Sequence, residues 1–401
     1  MAKKVYHGVL ARSFGAAYTK YYEWAVKERS EYYEGLEKHY REFRRDSLVR
    51  SCVVANAFYA TSKGFETVLE LADPGGLSEE QIATELEENR HVKDEIDALN
   101  KIVNMDRVLF IAQLKRSVYG SAGFEIVLDR NKVPEELIGL ESEELKPDIS
   151  EDWNLTGYTY RGKKGVYNPD SLLYFVNLSL DGFNGISDVE PVLDVIKTRR
   201  AIIEKDLPET AEKLWSPPLI LTVDVEGLND EDADKAVTDI IANVEPGKSI
   251  ALSQKVTATP IEVKPDIPGL IQSLEYCDLE IMGNFKTPRF LLNPEKQLNR
   301  ATSEKEFEAY INGVIAEIQR YFKREVERQW YDRQVHRILG IDDGDPLPIR
   351  VKHVWNPITV EDFYEMADAV SKLWGVQGGG PLGGRLDKVW DLMHWDKKEL
   401  K

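Results

Sequence analysis

The chain has 401 residues, of which 42% are hydrophobic and 30% charged, and its formal net charge is −18. The length allows two or three compact modules, and the composition excludes an intrinsically disordered chain. The excess of carboxylates excludes a protein that binds nucleic acid phosphates tightly over its whole surface, because such proteins are basic.

The N-terminal segment, residues 1–45, is rich in tyrosine and charge and is predicted to be helical. It either packs on its own domain or is an arm that docks on a neighbouring subunit, since tyrosine and tryptophan favour both settings. Residues 46–72 then show apolar residues at helical spacing, followed by a turn at Lys63-Gly64 and a strand-like run. A helix and a strand are predicted here.

Residues 79–119 predict one helix that Gly120 ends. Residues 124–128 alternate like a strand, and short strands follow, including Leu172 to Asn177. The first 180 residues are therefore predicted to be α+β.

The second half begins with Ser187 to Glu190, a capping-box pattern that predicts a helix start. Pro208 is expected to kink or end that helix. A small βαββ module follows, made of a strand, a helix with an acidic first turn and two further strands, predicted at Leu219 to Val225, Asp230 to Val244, Ile250 to Leu252 and Val256 to Val263.

A second helix starts after Pro265 and is expected to end at Lys286-Thr287-Pro288. After a loop from Asn293 to Ala301, another capping box at Ser303 predicts the start of the longest helix. If it runs to Leu339, this helix is roughly 55 Å long.

The residues that carry chemistry form no recognisable catalytic or cofactor motif. The six histidines are not at metal-ligand spacing, and the sequence has no phosphate-binding loop, dinucleotide fingerprint or nucleophile elbow. Partly exposed structural histidines are the default expectation. The acidic run Asp342 to Asp345 lacks the closing glutamate of a calcium loop, so a solvated turn is expected. We predict no enzymatic activity, no metal and no cofactor.

The cysteines and the N-terminus bear on the compartment. Cys52 and Cys277 lie far apart in sequence, which excludes a disulfide scaffold and suits a reducing environment. The sequence has no apolar run of about 18 residues, so no membrane span is predicted. The first residues lack the apolar stretch of a signal peptide. Synthesis and assembly in the cytoplasm are expected.

The order of the elements is the most informative feature. A helix leads out to the small module and a second helix leads back, so the two helices must lie near each other. Four segments in this order carry a resemblance, namely Asn100 to Ile126, Gly182 to Pro191, Pro217-Pro218-Leu219 and Phe285 to Leu292. With them, the chain resembles the portal proteins of tailed viruses over most of residues 46–375.

The resemblance implies an α+β, portal-like subunit of several parts. An N-terminal arm and wing would cover 1–187, two stem helices 188–215 and 266–287, a clip 216–265 and a tunnel loop 288–302. A long helix of the wing would cover 303–350, and a short helical crown and tail 351–401. The family forms rings, usually of about twelve subunits, at one capsid vertex of the virion.

The same resemblance implies a role and partners. The ring would form the channel for DNA packaging and ejection, passing double-stranded DNA without reading its sequence. Further partners would be the terminase large subunit, head-completion or tail adaptor proteins and the major capsid protein, with no membrane involved. The candidate DNA-facing residues are Lys296, Gln297, Asn299 and Arg300. The candidate motor- and adaptor-binding residues of the clip are Asp230, Glu231, Asp232, Lys248, Gln254 and Lys255.

Two other classes of protein stay open on the sequence alone. One is a metal-dependent DNA-processing enzyme with a helical partner-binding region. The other is a virion adaptor or scaffold that is not a portal.

Overall fold

The computed structural model describes residues 35–73, 75–150, 152, 154–215, 219–223, 231–232, 235, 238, 256–260, 266–292, 300–342 and 345–358. The chain divides into two compact units. Unit 1 comprises Met1–Leu193 and Ile281–Lys401, and unit 2 comprises Asp194–Glu280. Within the described residues, no helix combines the length and apolar character that a membrane crossing requires.

Unit 1 begins with helical residues 35–45 (α1) and helix α2, Ser47–Thr61. The carboxylate of Asp46 accepts hydrogen bonds from the backbone N–H groups of Leu48 and Val49, which fixes the start of α2. In α1, Leu36 and His39 are buried, and Tyr40 stacks on Tyr119 with the ring centroids 5.8 Å apart. These residues of the predicted arm therefore pack on their own domain, whereas residues 1–34 lie outside the described part.

The predicted helix 79–119 is three helices instead of one. Strand β1, Phe65–Leu71, is followed by α3 (Glu79–Glu88), α4 (Arg90–Ile102) and α5 (Met105–Tyr119). Asn104 adopts a left-handed φ of 51° and its side chain caps the N–H of Arg107, so it ends one helix and starts the next. The prediction of a single helix was wrong because asparagine tolerates this conformation and caps helices at the same time.

Antiparallel strands follow α5: β2 (Ser121–Leu128), β3 (Pro134–Gly139), β4 (Leu145–Ile149), β5 (Leu155–Tyr160), β6 (Lys163–Tyr167) and β7 (Leu172–Val176). They form two three-stranded sheets, with the orders β3-β2-β7 and β4-β5-β6. The α+β character predicted for the first 180 residues is confirmed.

Helix α6 (Leu193–Ala201) follows the Ser187 motif after a 3-10 turn, Glu190–Val192, so the α-helix starts later than the capping-box pattern predicted. The Ser187 hydroxyl accepts the Val189 N–H at 3.0 Å and donates to the carbonyl of Val118 at 2.6 Å. Pro208 does not end the helical run. A π turn, Ile202–Asp206, leads without a break into α7 (Leu207–Trp215), so the regular α-helical bonding is interrupted just before the proline.

Unit 2 contains most of α6, α7, strands β8 (Leu219–Val223) and β9 (Val256–Pro260), and most of α8 (Ile267–Asn284). The two strands pair antiparallel, with Leu219 opposite Pro260. The Arg199 Nε donates to Asp278 Oδ1 at 2.6 Å, so α6 and α8 lie side by side at that point. The proximity of the two helices that flank the small module was predicted from the order of elements.

The chain returns to unit 1 with α9 (Arg289–Leu292), α10 (Arg300–Tyr310), α11 (Ala316–Val326), α12 (Asp332–Leu339) and strand β10 (Ile349–Trp355). The π turns Ile311–Ile315 and Glu327–Tyr331 join α10, α11 and α12, and residues 300–339 are called the long helix below. It reaches Leu339 as predicted but starts at Arg300, so Ser303 does not cap it. Strand β10 pairs with β1 along its whole length and crosses the predicted boundary at residue 350.

One apolar core joins these parts of unit 1. It packs residues of α4, α5, β1, β2, β7 and β10 around buried side chains of the long helix, among them Phe322, Val326, Trp330 and Val335. The long helix is therefore the central support of unit 1.

Candidate functional site: two buried anchors in unit 1

The predicted DNA-facing segment has well-defined ends. Lys296, Gln297 and Asn299 lie outside the described residues, whereas Arg300 opens α10. The predicted loop 288–302 is helical at Arg289–Leu292 and from Arg300 onward. The placement of residues 300–302 in a loop was wrong, and seven residues, 293–299, remain between the two helices.

The chain leaves α8 through a reversed turn. Lys286 has a φ of 54°, and the Thr287 N–H donates to the Met282 carbonyl at 3.0 Å. This is the bonding pattern of a helix C-cap that glycine usually supplies. The prediction that Lys286-Thr287-Pro288 ends the helix is confirmed.

Asn56 of α2 ties the two ends of this segment together. Its Nδ2 donates to the carbonyl of Phe285 at 2.8 Å, and its Oδ1 accepts from the Tyr310 hydroxyl at 2.6 Å. The Thr287 hydroxyl also donates to the Asn56 Oδ1, at 3.3 Å. One buried amide thus joins the residues before the loop to the long helix after it.

Apolar packing completes this first anchor. Phe290 and Leu291 of α9 are buried in a cluster with Tyr59, Phe307 and Tyr310. The Tyr59 ring stands edge-on to Phe307 and to Tyr310, with centroids 5.9 and 5.8 Å away. Burial raises the pKa of Tyr310 well above its usual range. Its hydroxyl therefore stays protonated and remains a donor to Asn56.

The second anchor contains the motif Gly182 to Pro191. A Cβ at Gly185 would lie 1.7 Å from the Gly120 carbonyl oxygen, so only glycine fits where the two backbones meet. Asn177 bridges them: its N–H donates to the Gly120 carbonyl at 2.7 Å, and its Nδ2 donates to Asp188 Oδ1 at 2.7 Å. The two glycines of the sequence motifs therefore meet at one backbone contact.

Arg116 is the charged centre of this second anchor. It is buried, and its guanidinium lies 4.0 Å from the Tyr321 ring centroid of the long helix. The Nε donates to the Val176 carbonyl at 2.9 Å and an Nη donates to Asn177 Oδ1 at 3.3 Å. Burial raises the pKa of Asp188, although its hydrogen bonds and Arg116 oppose that shift. The anchor thus holds an interior cation against aromatic rings, carbonyls and a nearby carboxyl group.

Sequence reasoning found the glycines and the helix end but missed Asn56, Asn177 and Arg116. The sequence did indicate that Asn56 is unusual, because it is an amide within the apolar run Val53 to Tyr59. A polar residue at such a position is expected to have a buried hydrogen-bond partner. Arg116 had no signal that separates it from an exposed arginine.

A protein-family model described as "Phage portal protein" matches residues 85–376. The chain belongs to the phage portal protein family. It is a structural subunit of a portal, the head–tail connector at a capsid vertex of the virion. Both anchors of the portal subunit involve residues of the matched range.

The portal subunit is also similar in fold to chains of solved gene transfer agent particles. A chain from the virion of a native particle is 13% identical, with a TM-score of 0.57, and the match covers 90% of this chain and 94% of that one. A chain from the neck of an empty particle, computed with C6 symmetry, is 15% identical at a TM-score of 0.55 and the same coverages, 90% and 94%. A chain from the neck of a native particle, computed with C12 symmetry, is 13% identical at a TM-score of 0.54, again covering 90% and 94%. No curated protein matches the chain.

The clip residues of the portal subunit are only partly described. Glu231 and Asp232 are helical and exposed. Asp230, Lys248, Gln254 and Lys255 lie outside the described residues, as does the strand predicted at 250–252. Their role as contacts for partners stays a prediction.

The histidines correct one expectation. His39 and His353 are buried, not partly exposed, and burial lowers the pKa of His39 to about 4 and that of His353 to about 3. His353 stacks on Phe65 with the ring centroids 4.1 Å apart. Within the described ranges, no group of three His, Cys, Asp or Glu side chains could hold a metal ion. The portal family is structural, and the absence of enzymatic activity stays a prediction.

Proposed function

We propose that this portal subunit assembles into a closed ring of about a dozen copies whose bore passes double-stranded DNA during packaging and ejection. The clip would bind the terminase large subunit and later the head-completion or tail adaptors, and the wing would contact the major capsid protein. The family match is the observation that carries the proposal. The C6 and C12 symmetries applied to the necks of the structurally similar particles support a ring.

An exposed apolar stripe on α8 supports self-association. Ile271, Tyr276 and Leu279 are 49%, 62% and 50% exposed. A helix with exposed apolar residues of this size has a face that needs a partner. In a ring, the equivalent helix of the next subunit would cover it.

The charge and the anchors support the channel role. A net charge of −18 disfavours tight binding of phosphates, so DNA can slide. The first anchor fixes both ends of residues 293–299, so that short segment can reach toward the DNA without disturbing the core. Lys296 and Arg300 would then present repeated rings of positive charge.

Negative-stain electron microscopy and mass photometry of the purified chain test the proposal. We expect closed rings without nucleic acid. Replacing both Tyr276 and Leu279 with glutamate should shift the population toward single subunits, whereas Lys163→Glu with Lys164→Glu on the exposed strand β6 should not. A wild-type chain that stays monomeric at micromolar concentration and moderate salt would refute the ring.

A further inference from the structure

A basic cleft lies on unit 1, between the long helix and strand β10. Four cationic side chains, those of Arg324, Arg328, Arg350 and Lys352, line a volume of about 150 Å³. The two carboxylates that share it are Glu327 and Asp332. The lining therefore holds more cationic side chains than carboxylates, although the chain as a whole carries −18.

Carboxylates pair with two of the four cations of the cleft. The Glu327 carboxylate also has a backbone partner, since its Oε1 accepts the N–H of His353 at 2.9 Å. Lys352 Nζ lies 3.7 Å from both Glu70 and Glu327. Arg328 is paired with Glu325 at 2.5 Å, whereas Arg324 and Arg350 are exposed and have no salt bridge within the described residues. Two arginines thus face solvent without an ion pair, although Arg350 acts electrostatically on Asp332 and opposes the burial that raises the pKa of this carboxyl.

The exposed face of the β1–β10 sheet extends this cleft. Arg350, Lys352 and Val354 alternate outward along β10, and Val68 stands opposite Lys352 on β1. Val68 and Val354 are 45% and 40% exposed. Apolar side chains beside unpaired arginines form a surface suited to a protein partner rather than to water alone.

Helix α3 has the complementary charge. It contains five glutamates and no lysine or arginine, and none of its residues is buried. Ser78 and Gln81 close a capping box at its start, so the helix presents its carboxylates from a fixed scaffold. Ile82 and Leu86 hold it to the core of unit 1.

The cleft and α3 flank different strands of the same sheet. Helix α3 packs against β1, whereas the long helix packs against β10. Two unlike surfaces of one subunit can meet head to tail between copies, and such a contact forms a ring when its rotation closes.

We propose that the basic cleft binds the acidic face of helix α3 of a neighbouring copy of this chain and so forms a charged contact between adjacent subunits. The inference rests on the proposed ring and adds a specific contact to it. The carboxylates of α3 would pair with Arg324 and Arg350, and Val68 and Val354 would supply apolar contact beside them. Complementary charges at the rim of an interface mainly set its register and its rate of association.

A charge swap tests the contact. Arg324→Glu with Arg350→Glu should weaken each subunit–subunit association by about tenfold at moderate salt, because two attractions become repulsions. Glu85→Lys with Glu88→Lys should have the same effect from the other side. These two sites suit reversal because lysine is compatible with the C-terminal half of a helix. The combined variant should recover rings to within about twofold of wild type, since both signs are then exchanged.

Controls separate this contact from folding and from general charge. Lys163→Glu with Lys164→Glu changes the net charge as the arginine pair does, on exposed positions of β6, and should leave assembly unchanged. Circular dichroism and thermal melts of each variant report folding. Should the arginine reversal unfold the subunit, Arg324→Gln with Arg350→Gln should still give a measurable loss of rings.

The outcomes are distinct. If both charge-reversed variants form as many rings as wild type, or if the combined variant does not recover ring formation, the contact between the cleft and α3 is refuted. The proposed ring itself would not be affected by that result. Loss of binding to a short DNA duplex with assembly unchanged would show a phosphate site and overturn the contact between the cleft and α3 as well. A wild-type chain that forms no ring would instead refute the proposed function.

Discussion

The Asn56 side chain donates to the Phe285 carbonyl at 2.8 Å across 229 residues of sequence. The same amide accepts from Tyr310, so helix α2 fixes both ends of the segment proposed to face DNA. A local backbone change in this segment is thereby coupled to the core of unit 1.

Replacing Asn56 with leucine should lower the free energy of unfolding by about 2–3 kcal/mol. The substitution leaves the buried Phe285 carbonyl and Tyr310 hydroxyl without this partner. Chemical denaturation checks it, and Tyr310→Phe is the milder control, with a loss of about 1 kcal/mol. An unchanged midpoint in Asn56→Leu would contradict the role of the amide as an anchor.

Gly185→Ala should prevent stable folding of unit 1, because the new Cβ would lie 1.7 Å from the Gly120 carbonyl oxygen. Both partners at that contact are backbone, so neither can rotate away. Gly283→Ala is the matched control, since a Cβ there meets nothing within 4 Å. Because Gly283 lies in a helix, its replacement by alanine should raise the free energy of unfolding by about 0.5–1 kcal/mol. Thermal melts of the two variants should move in opposite directions.

Acid should destabilise the subunit through His353. Its pKa is about 3 in the fold because burial disfavours the charged ring, whereas a free histidine titrates near 6.5. The unfolded chain therefore takes up a proton first as the pH falls below 6.5, and stability is lost from there down to about pH 3. The contribution is about 2 kcal/mol between pH 6.5 and pH 5.

Two other buried groups bear on this pH dependence. His39, with a pKa of about 4, acts in the same direction. Burial raises the pKa of Asp106 to about 6, which opposes them, because the fold then binds a proton before the unfolded chain does. Unfolding midpoints from pH 7 to 5 should show a shallower slope for His353→Phe than for wild type. Equal slopes would refute the assignment.

The segment proposed to face the channel is tested by charge reversal. Replacing both Lys296 and Arg300 with glutamate should leave rings intact and shorten the packaged genome, because the bore loses its repeated positive charges. Packaged DNA length in assembled particles is the measurement, and Lys163→Glu with Lys164→Glu is the control. Full-length packaging at the normal rate, or failure of the ring, would show that the segment has another role.

Deletion of residues 219–262 should leave a soluble subunit that no longer binds the terminase large subunit or the head-completion and tail adaptors. Leu219 pairs with Pro260, so the two ends of the deletion are adjacent and a short linker can join them. Pull-down with the terminase large subunit checks the result. Retained binding would move the docking site away from the clip.

Local patterns in the sequence determined much of this protein. The apolar spacing of residues 307–330 predicted a long helix, and Lys286-Thr287-Pro288 predicted the end of α8. The order of a helix, a small module and a returning helix predicted that two helices lie side by side, which the Arg199–Asp278 pair confirms. Such features depend on neighbours in the chain, so one sequence suffices to see them.

Only the tertiary structure decided the anchors, the cleft and the helix starts. Asn56 reaches Phe285, Gly185 meets Gly120, and Arg324 comes beside Arg350 only because distant segments fold together. The Ser303 pattern failed because the helix already begins at Arg300. At Ser187 the hydroxyl accepts the Val189 N–H at 3.0 Å and also donates at 2.6 Å to the carbonyl of Val118, which lies 69 residues earlier in the chain. Contacts between residues far apart in sequence, rather than local propensity, set these sites.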